Sequence, residues 1–134
     1  MTKIIDVEGI GPTYAQKLTD AGVATTEALL DKGGTPKGRK EIAEKTGIGD
    51  ALILKWVNRV DLGRIKGVGS EYADLLEAAG VDTVPELAKR VPANLAKKIE
   101  EVNTAKKLTR KPPTAKQVAD WVEQAKKLPR AITY

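Results

Sequence analysis

The sequence contains no cysteine and no histidine, and these two absences narrow its chemistry before any motif is considered. Without cysteine there are no disulfides, no thiol nucleophiles and no zinc–thiolate centres. Without histidine, a common transition-metal ligand and the usual general base of hydrolytic triads are missing, which leaves carboxylates and lysines for acid–base chemistry. We therefore expect a binding protein and not an enzyme, with no metal site and no cofactor.

Aromatic residues are scarce, at 4% of 134 residues, and phenylalanine does not occur. Leucine, isoleucine, valine and alanine must build the core, and a hydrophobic fraction of 41% allows one modest core or two small ones. This composition favours helices over sheets. No apolar run approaches the length of a membrane span, and the N-terminus lacks a secretion-signal pattern. We expect a cytoplasmic protein with no membrane partner.

Positive charge is unevenly distributed along the chain. Residues 1–63 contain nine lysines and arginines against nine aspartates and glutamates, so the formal net charge of +5 comes from residues 64–134. An asymmetry of this kind favours a polyanion-facing second half. A solvated basic surface without a partner explains the same count equally well.

The sequence repeats itself internally. Residues 9–29 recur at residues 67–87, so that Tyr14 corresponds to Tyr72, and later Trp56 corresponds to Trp121. The second copy carries about eight additional residues between Asn103 and Pro113. We expect a first copy over residues 1–63, a second over 64–128 and a tail over 129–134. No glycine-rich or serine-rich linker separates the copies, so we predict that they pack as one pseudo-symmetric body.

Helix start and stop signals predict an all-helical chain without strands. Prolines and threonines mark most helix starts, Asp50 and Ser70 are the expected caps of two others, and Gly22 suits a left-handed exit. The predicted helices are Pro12 to Asp20, a short helix capped by Thr25 or Thr26 that reaches about Lys32, one started by Thr35 and Pro36 that reaches about Lys45, one capped by Asp50 that ends near Asp61, Glu71 to Ala79, Thr83 to Arg90, Pro92 to about Asn103 and Ala115 to Leu128.

Three segments share the pattern glycine–aliphatic–glycine followed by a helix. Two glycines around one buried aliphatic residue allow a tight reversal, and the reversal leads directly into a helix N-terminus. Unpaired backbone N–H groups and the positive end of the helix dipole then point outward together, which suits a phosphate oxygen. We call these segments the first bend (Gly9, Ile10, Gly11), the second bend (Gly47, Ile48, Gly49) and the third bend (Gly67, Val68, Gly69).

On these bends and the repeat, residues 4–128 resemble the helix-hairpin-helix superfamily, and in particular an uncharacterised bacterial family of tandem helix-hairpin-helix proteins without an assigned function. In that superfamily, paired hairpins grip the two strands of a duplex across its minor groove. The resemblance implies an all-α fold of two tandem (helix-hairpin-helix)2 repeats. It also implies that hairpin carbonyls can hold a monovalent cation, but it does not identify which hairpin would do so.

The resemblance further implies that the backbone amides of all three bends approach phosphates, with Lys66 and Ser70 adding a charge and a hydroxyl beside the third. Two acids depart from this pattern. Glu8 precedes the first bend and Asp50 follows the second, and each would repel a phosphate. The fourth hairpin that symmetry requires is replaced by residues 103–113, which we call the basic loop.

The basic loop carries Lys106, Lys107, Arg110 and Lys111. We predict that it forms, with the third bend, a basic face that binds the DNA or RNA backbone without reading sequence. The alternatives are a flexible solvated loop and, for the protein as a whole, a protein-interaction module. The neutral first copy, the two acids near the bends and the apolar Ile132 near the C-terminus favour the interaction module.

The matched aromatic residues are interpreted as structural. Trp56 and Trp121 lie on amphipathic helices and are expected to be core anchors, with base stacking as the minor alternative. For Tyr14 and Tyr72 we expect packed rings with solvated hydroxyl groups.

Overall fold

A computed structural model describes residues 3–7 and 9–133, and the regular structure in these ranges is helical, as the sequence predicts. One isolated β-bridge joins Lys3 and Thr25. A short 3₁₀ turn, Ile4–Asp6, precedes the first α-helix. The α-helices are α1 (Pro12–Asp20), α2 (Thr26–Gly33), α3 (Pro36–Thr46), α4 (Asp50–Leu62), α5 (Ser70–Ala78), α6 (Val84–Ala88), α7 (Pro92–Lys106) and α8 (Ala115–Lys127). Over the described ranges, none of these helices is long and apolar enough to cross a bilayer.

Threonine side chains start four of the helices. Each accepts a hydrogen bond from the backbone N–H three residues later, and α8 also has the reciprocal bond of a capping box through Gln117. Such a cap pairs one of the otherwise unpaired amides in the first turn of a helix. Because threonine is a preferred capping residue, these helix starts can be predicted from the sequence. The four threonines are Thr25, Thr35, Thr83 and Thr114.

Four predicted helix boundaries need correction, one of them the end of α6, which stops at Ala88 and not at Arg90. Asp50 and Ser70 were expected to be N-caps but are the first residues of α4 and α5, and Gly69 occupies the cap position of α5. Helix α7 was expected to end near Asn103 but continues to Lys106. It stops there because Lys107 adopts a left-handed conformation, with φ of 51°, and its N–H donates to the Asn103 carbonyl at 2.7 Å.

The contacts of the chain divide it into two compact units, each with its own hydrophobic core. The first unit contains residues 1–61 together with 130–134, and the second contains residues 62–129. The largest fully buried side chains of the first core are Leu18, Leu29, Ile53 and Ile132, and those of the second include Leu62, Leu75, Leu76, Leu87, Ile99 and Trp121.

The C-terminal residues are held firmly within the first unit. Ile132 is only 1% exposed and belongs to the first core. The Thr133 N–H donates to the Gly34 carbonyl at 2.7 Å. The buried Arg39 guanidinium donates to the carbonyls of Gly33 and Thr133, at 2.9 and 2.8 Å. Residues 130–133, which the sequence analysis treated as a tail, therefore contribute to the packing of this unit.

Equivalent positions of the sequence repeat have the same local structure. Gly22 and Gly80 follow α1 and α5 with φ of 88° and 92°, as expected for a left-handed helix exit. At each of these two helix ends, a long basic side chain donates a hydrogen bond to the glycine carbonyl. Lys32 Nζ donates to the Gly22 carbonyl at 3.0 Å, and Arg90 Nη2 donates to the Gly80 carbonyl at 2.9 Å.

Candidate functional site

Each of the three bends turns around a buried aliphatic side chain and exposes its glycines. Ile10, Ile48 and Val68 are buried, whereas both glycines of every bend are exposed, which confirms the predicted anchoring. The leading glycines, Gly9, Gly47 and Gly67, have φ of 92°, 74° and 96°. The bends thus present backbone, with little side chain, to the surface immediately before α1, α4 and α5.

The structure corrects the prediction for four of the nine bend amides, because the turns use them internally. The N–H of the central aliphatic residue closes the turn in every bend, and the second bend also uses the N–H of its leading glycine as the exit bond of α3. The engaged amides are Ile10 to the Val7 carbonyl, Ile48 to Thr46 Oγ1, Val68 to the Ile65 carbonyl and Gly47 to the Ala43 carbonyl, at 2.8 to 3.2 Å. The amides of Gly9, Gly11, Gly49, Gly67 and Gly69 have no acceptor among the described residues.

The helices that follow the first and third bends begin without a side-chain cap. Gly11 is the N-cap of α1 and Gly69 is the N-cap of α5, and neither can offer a side-chain acceptor to the first-turn amides. Helix α7 also starts uncapped, at Val91, but no glycine bend precedes it. In the four threonine-capped helices, a side chain accepts a hydrogen bond from a first-turn amide. In α1 and α5 no side chain does so, and the first-turn N–H groups and the positive end of the helix dipole stay available at the bend.

The second bend is the least suited to an anion. Two of its three amides are engaged, and the exposed Asp50 stands at the first position of α4. A carboxylate at that point already occupies the favourable field of the helix N-terminus and repels a phosphate. Glu8, the acid expected to disturb the first bend, lies outside the described residues. The first and third bends are therefore the stronger candidates.

The basic loop is attached to α5, the helix that begins at the third bend. Tyr72 Oη donates to the Lys111 carbonyl at 2.8 Å, and Thr109 Oγ1 donates to Glu71 Oε2 at 2.7 Å. On the other side, the Thr109 N–H donates to Asn103 Oδ1 at 3.0 Å. These bonds attach the basic loop to α5 and to the end of α7. They bring Arg110 and Lys111 to the first turn of α5.

The charged side chains of this region are exposed and unpaired. Lys66, Lys106, Lys107, Arg110 and Lys111 have no ion-pair or side-chain hydrogen-bond partner within the ranges that the structure describes. Residues 62–129 carry thirteen lysines and arginines against nine aspartates and glutamates, so most of the net positive charge lies in the second unit.

The five candidates differ in how closely the structure ties them to the third bend. Lys66 adjoins Gly67, and its backbone is fixed by Gln124, which accepts from its N–H at 2.8 Å and donates to its carbonyl at 3.0 Å. Lys106 and Lys107 lie at the end of α7, where no bond connects them to the bend. The side chain of Ser70, the predicted hydroxyl ligand, lies outside the described part.

Both tryptophans lie directly behind a bend. They are 2% exposed, which confirms them as core anchors, and each contacts the matching tyrosine, with ring centroids 5.2 Å apart for Trp56 and Tyr14 and 5.3 Å for Trp121 and Tyr72. A Cβ built on Gly9 would lie 3.7 Å from Trp56 Nε1, and one built on Gly67 would lie 3.2 Å from Trp121 Nε1.

The sequence analysis did not connect the tryptophans to the bends. The available signal was the recurrence of glycine, tyrosine and tryptophan at matching places in both copies.

The described residues contain no group of three or more acidic side chains that could hold a metal ion.

The family model for a domain of unknown function, DUF4332, matches residues 8–128 of this chain. The match includes the three bends, the basic loop and both tryptophans. No curated protein and no solved structure gives a significant match.

Proposed function

The chain belongs to the DUF4332 family, a domain of unknown function, and we propose that it binds the phosphate backbone of nucleic acid without reading base sequence and without catalysing a reaction. We further propose that the bends are hairpins of two tandem paired helix-hairpin-helix units. The fold proposal is supported by the glycine bends before α1, α4 and α5 and by the matching conformations of Gly9 and Gly67.

One observation carries the functional proposal: the hydrogen bond from Tyr72 to the Lys111 carbonyl. It holds the most basic segment of the chain against the helix whose uncapped N-terminus opens at the third bend. The positive end of the α5 dipole, the free backbone amides and the unpaired cationic side chains are thus found together at the third bend. Each of these features alone is common on protein surfaces, but together they favour a multiply charged anion.

The third bend can bind a phosphate in a simple way. An oxygen accepts hydrogen bonds from the Gly69 amide and from first-turn amides of α5, while Lys66, Arg110 and Lys111 balance the charge of this phosphate and its neighbours along the strand. These contacts all go to phosphate, which fixes the position of a protein on the strand but carries no base sequence. Binding of this type releases counterions, so its affinity falls steeply as salt rises.

A second candidate function is protein binding through the first unit. Ile5 is 46% exposed and lines a groove of about 550 Å³ together with Ile4, Pro12 and Ala15. An exposed apolar side chain in a groove is typical of a protein contact surface. In this candidate function, the partner protein binds to the first unit, where the first bend has fewer basic residues near it in sequence than the third bend has.

The nucleic-acid proposal is tested by changing Lys106, Lys107, Arg110 and Lys111 together to alanine. Fluorescence anisotropy with a labelled mixed-sequence duplex, from about 50 to 200 mM salt, should show at least about a tenfold loss of affinity and a salt slope shallower by up to about 3.6. A matched variant removes four exposed lysines away from the bends, Lys17, Lys37, Lys40 and Lys89, and should lose much less.

Two results would contradict the proposal. Equal losses in both four-charge variants would show that net charge, and not the basic loop, determines binding. No binding by the unaltered protein at the lowest salt would favour the protein-binding candidate instead. Circular dichroism of each variant confirms that the helices remain.

A further inference from the structure

Two buried indole N–H groups occupy equivalent positions behind the first and third bends. Of all side-chain atoms outside the local chain, Trp121 Nε1 is the nearest to the place that a Cβ on Gly67 would occupy, and Trp56 Nε1 has the same relation to Gly9. In both cases the nitrogen edge of the ring faces the leading glycine. The rings themselves are nine-tenths or more buried, so packing fixes the direction of both N–H groups.

Neither indole N–H donates a hydrogen bond to any residue that the structure describes. An indole N–H is a donor only, and a buried one normally finds an acceptor, because leaving it unpaired costs free energy. In the same residues, every fully buried side-chain nitrogen or oxygen has a partner. The acceptor of each indole N–H therefore lies outside the described residues, and the exposed leading glycine of each bend adjoins the nitrogen.

We infer that Trp56 and Trp121 donate their indole hydrogens to a phosphate oxygen bound at the first and third bends, one phosphate at each. The inference deepens the proposed function and rests on it for the identity of the ligand, a phosphodiester of the nucleic-acid backbone. The tryptophans act as binding residues as well as core anchors. Each site then combines the free glycine amides, the uncapped first turn of α1 or α5, and one indole N–H from α4 or α8.

The chemistry of the donor set selects an anion. The free glycine amides, the first-turn amides of the helix and the indole are all N–H donors. An apolar ligand would leave these donors unpaired. A phosphate oxygen with several lone pairs can accept from more than one of these donors at once.

The two sites should differ in affinity, because their electrostatic surroundings differ. The third bend has the unpaired Lys66 next to Gly67 and the basic loop attached to α5, whereas the first bend has no lysine or arginine within residues 4–16. Coulomb attraction therefore adds more to hydrogen bonding at the third bend than at the first. Trp121 should therefore respond at lower ligand concentration than Trp56.

The chain contains only two tryptophans, so a proton–nitrogen correlation spectrum of ¹⁵N-labelled full-length protein should show two indole signals. Trp56→Phe and Trp121→Phe assign them by the loss of one signal each. Titration with inorganic phosphate, and separately with a short mixed-sequence duplex, should move both signals downfield, Trp121 first. Sodium chloride at matched ionic strength is the control and should leave both signals nearly unchanged.

The Trp121→Phe variant keeps an aromatic ring in the core but removes the donor. It should bind the duplex about three- to tenfold more weakly than the unaltered protein, as expected for loss of one hydrogen bond to a charged acceptor. Trp56→Phe should have a smaller effect. The titration of the unaltered protein needs no substitution to fold, so it tests the inference even if a variant is unstable.

The outcomes separate this inference from the proposed function. If the duplex binds but neither indole signal moves and Trp121→Phe binds equally well, the indole inference is wrong and backbone binding stands. If phosphate moves the indole signals but the duplex does not bind at low salt, the anion sites are real and the proposed nucleic-acid function is wrong. If phosphate moves the signals no more than chloride does and the duplex does not bind, both are wrong.

Discussion

Replacing Ile132 by alanine should lower the free energy of unfolding by about 2–5 kcal/mol, the usual cost of truncating a fully buried isoleucine. Ile132 lies after the last helix, in a segment that the sequence indicates is a tail, where substitutions are ordinarily harmless. Here its side chain is part of the first core. The neighbouring Thr133 is held by its N–H, which donates to Gly34, and by its carbonyl, which accepts from Arg39. Urea unfolding followed by circular dichroism and tryptophan fluorescence measures the change.

The matched control is Ile5→Ala, the same truncation at a side chain that is 46% exposed, and it should cost less than about 1 kcal/mol. Equal losses for the two variants would show that residues 130–133 do not contribute to the core. Gly34 provides a further check, because a Cβ there would lie 2.5 Å from the Ala131 carbonyl oxygen and 2.8 Å from that of Leu30. Gly34→Ala should therefore also destabilise the protein.

Replacing Gly67 by valine should destabilise the second unit by about 2–5 kcal/mol, from backbone strain and overpacking together. Its φ of 96° is poorly accessible to a β-branched residue, and the new Cβ would lie only 3.2 Å from Trp121 Nε1. The indole cannot move aside easily because Tyr72 and the core surround it. The free energy of unfolding from urea titration is the measurement.

Gly69→Val is the matched control within the same bend. Gly69 has extended backbone, with φ of −91° and ψ of −172°, and a Cβ there meets nothing within 4 Å. Valine should be tolerated at a cost of about 1 kcal/mol or less, which allows for a poorer N-cap. Its side chain would nevertheless stand over the proposed phosphate site, so this variant should fold and lose duplex affinity. Equal instability of the two variants would contradict the described backbone of the third bend.

The start and end of most helices could be predicted from short segments of sequence. A threonine that accepts the amide three residues later, or a proline at the first helical position, acts within one turn, as at Thr25 and Pro12. The two mistaken caps, Asp50 and Ser70, have the right residue type, but each is the first residue of its helix and follows a glycine, and Gly69 takes the cap position of α5. Local chemistry alone does not decide between such neighbours.

The residues of the candidate site could be predicted from the sequence, but the hydrogen bonds and contacts among them could not. The bends, Lys66 and the basic loop are visible in the sequence, whereas the engagement of four bend amides depends on how each turn closes. The connection between Tyr72 and Lys111 spans 39 residues, and the position of Trp121 behind Gly67 joins two helices distant in sequence. Contacts of this range depend on packing, which a residue pattern does not specify.

By itself, the sequence determined the helical class, the repeat, the three glycine bends and the location of the positive charge. Each of these follows from interactions within a few residues or from composition. Only the tertiary structure decided which amides stay free, where the basic loop is attached, that the indole nitrogens lie behind the bends and that Ile132 belongs to the first core. Those features arise from side chains far apart in the chain that pack together in the interior of one unit. There, shape and hydrogen-bond satisfaction select among arrangements that local preferences do not distinguish.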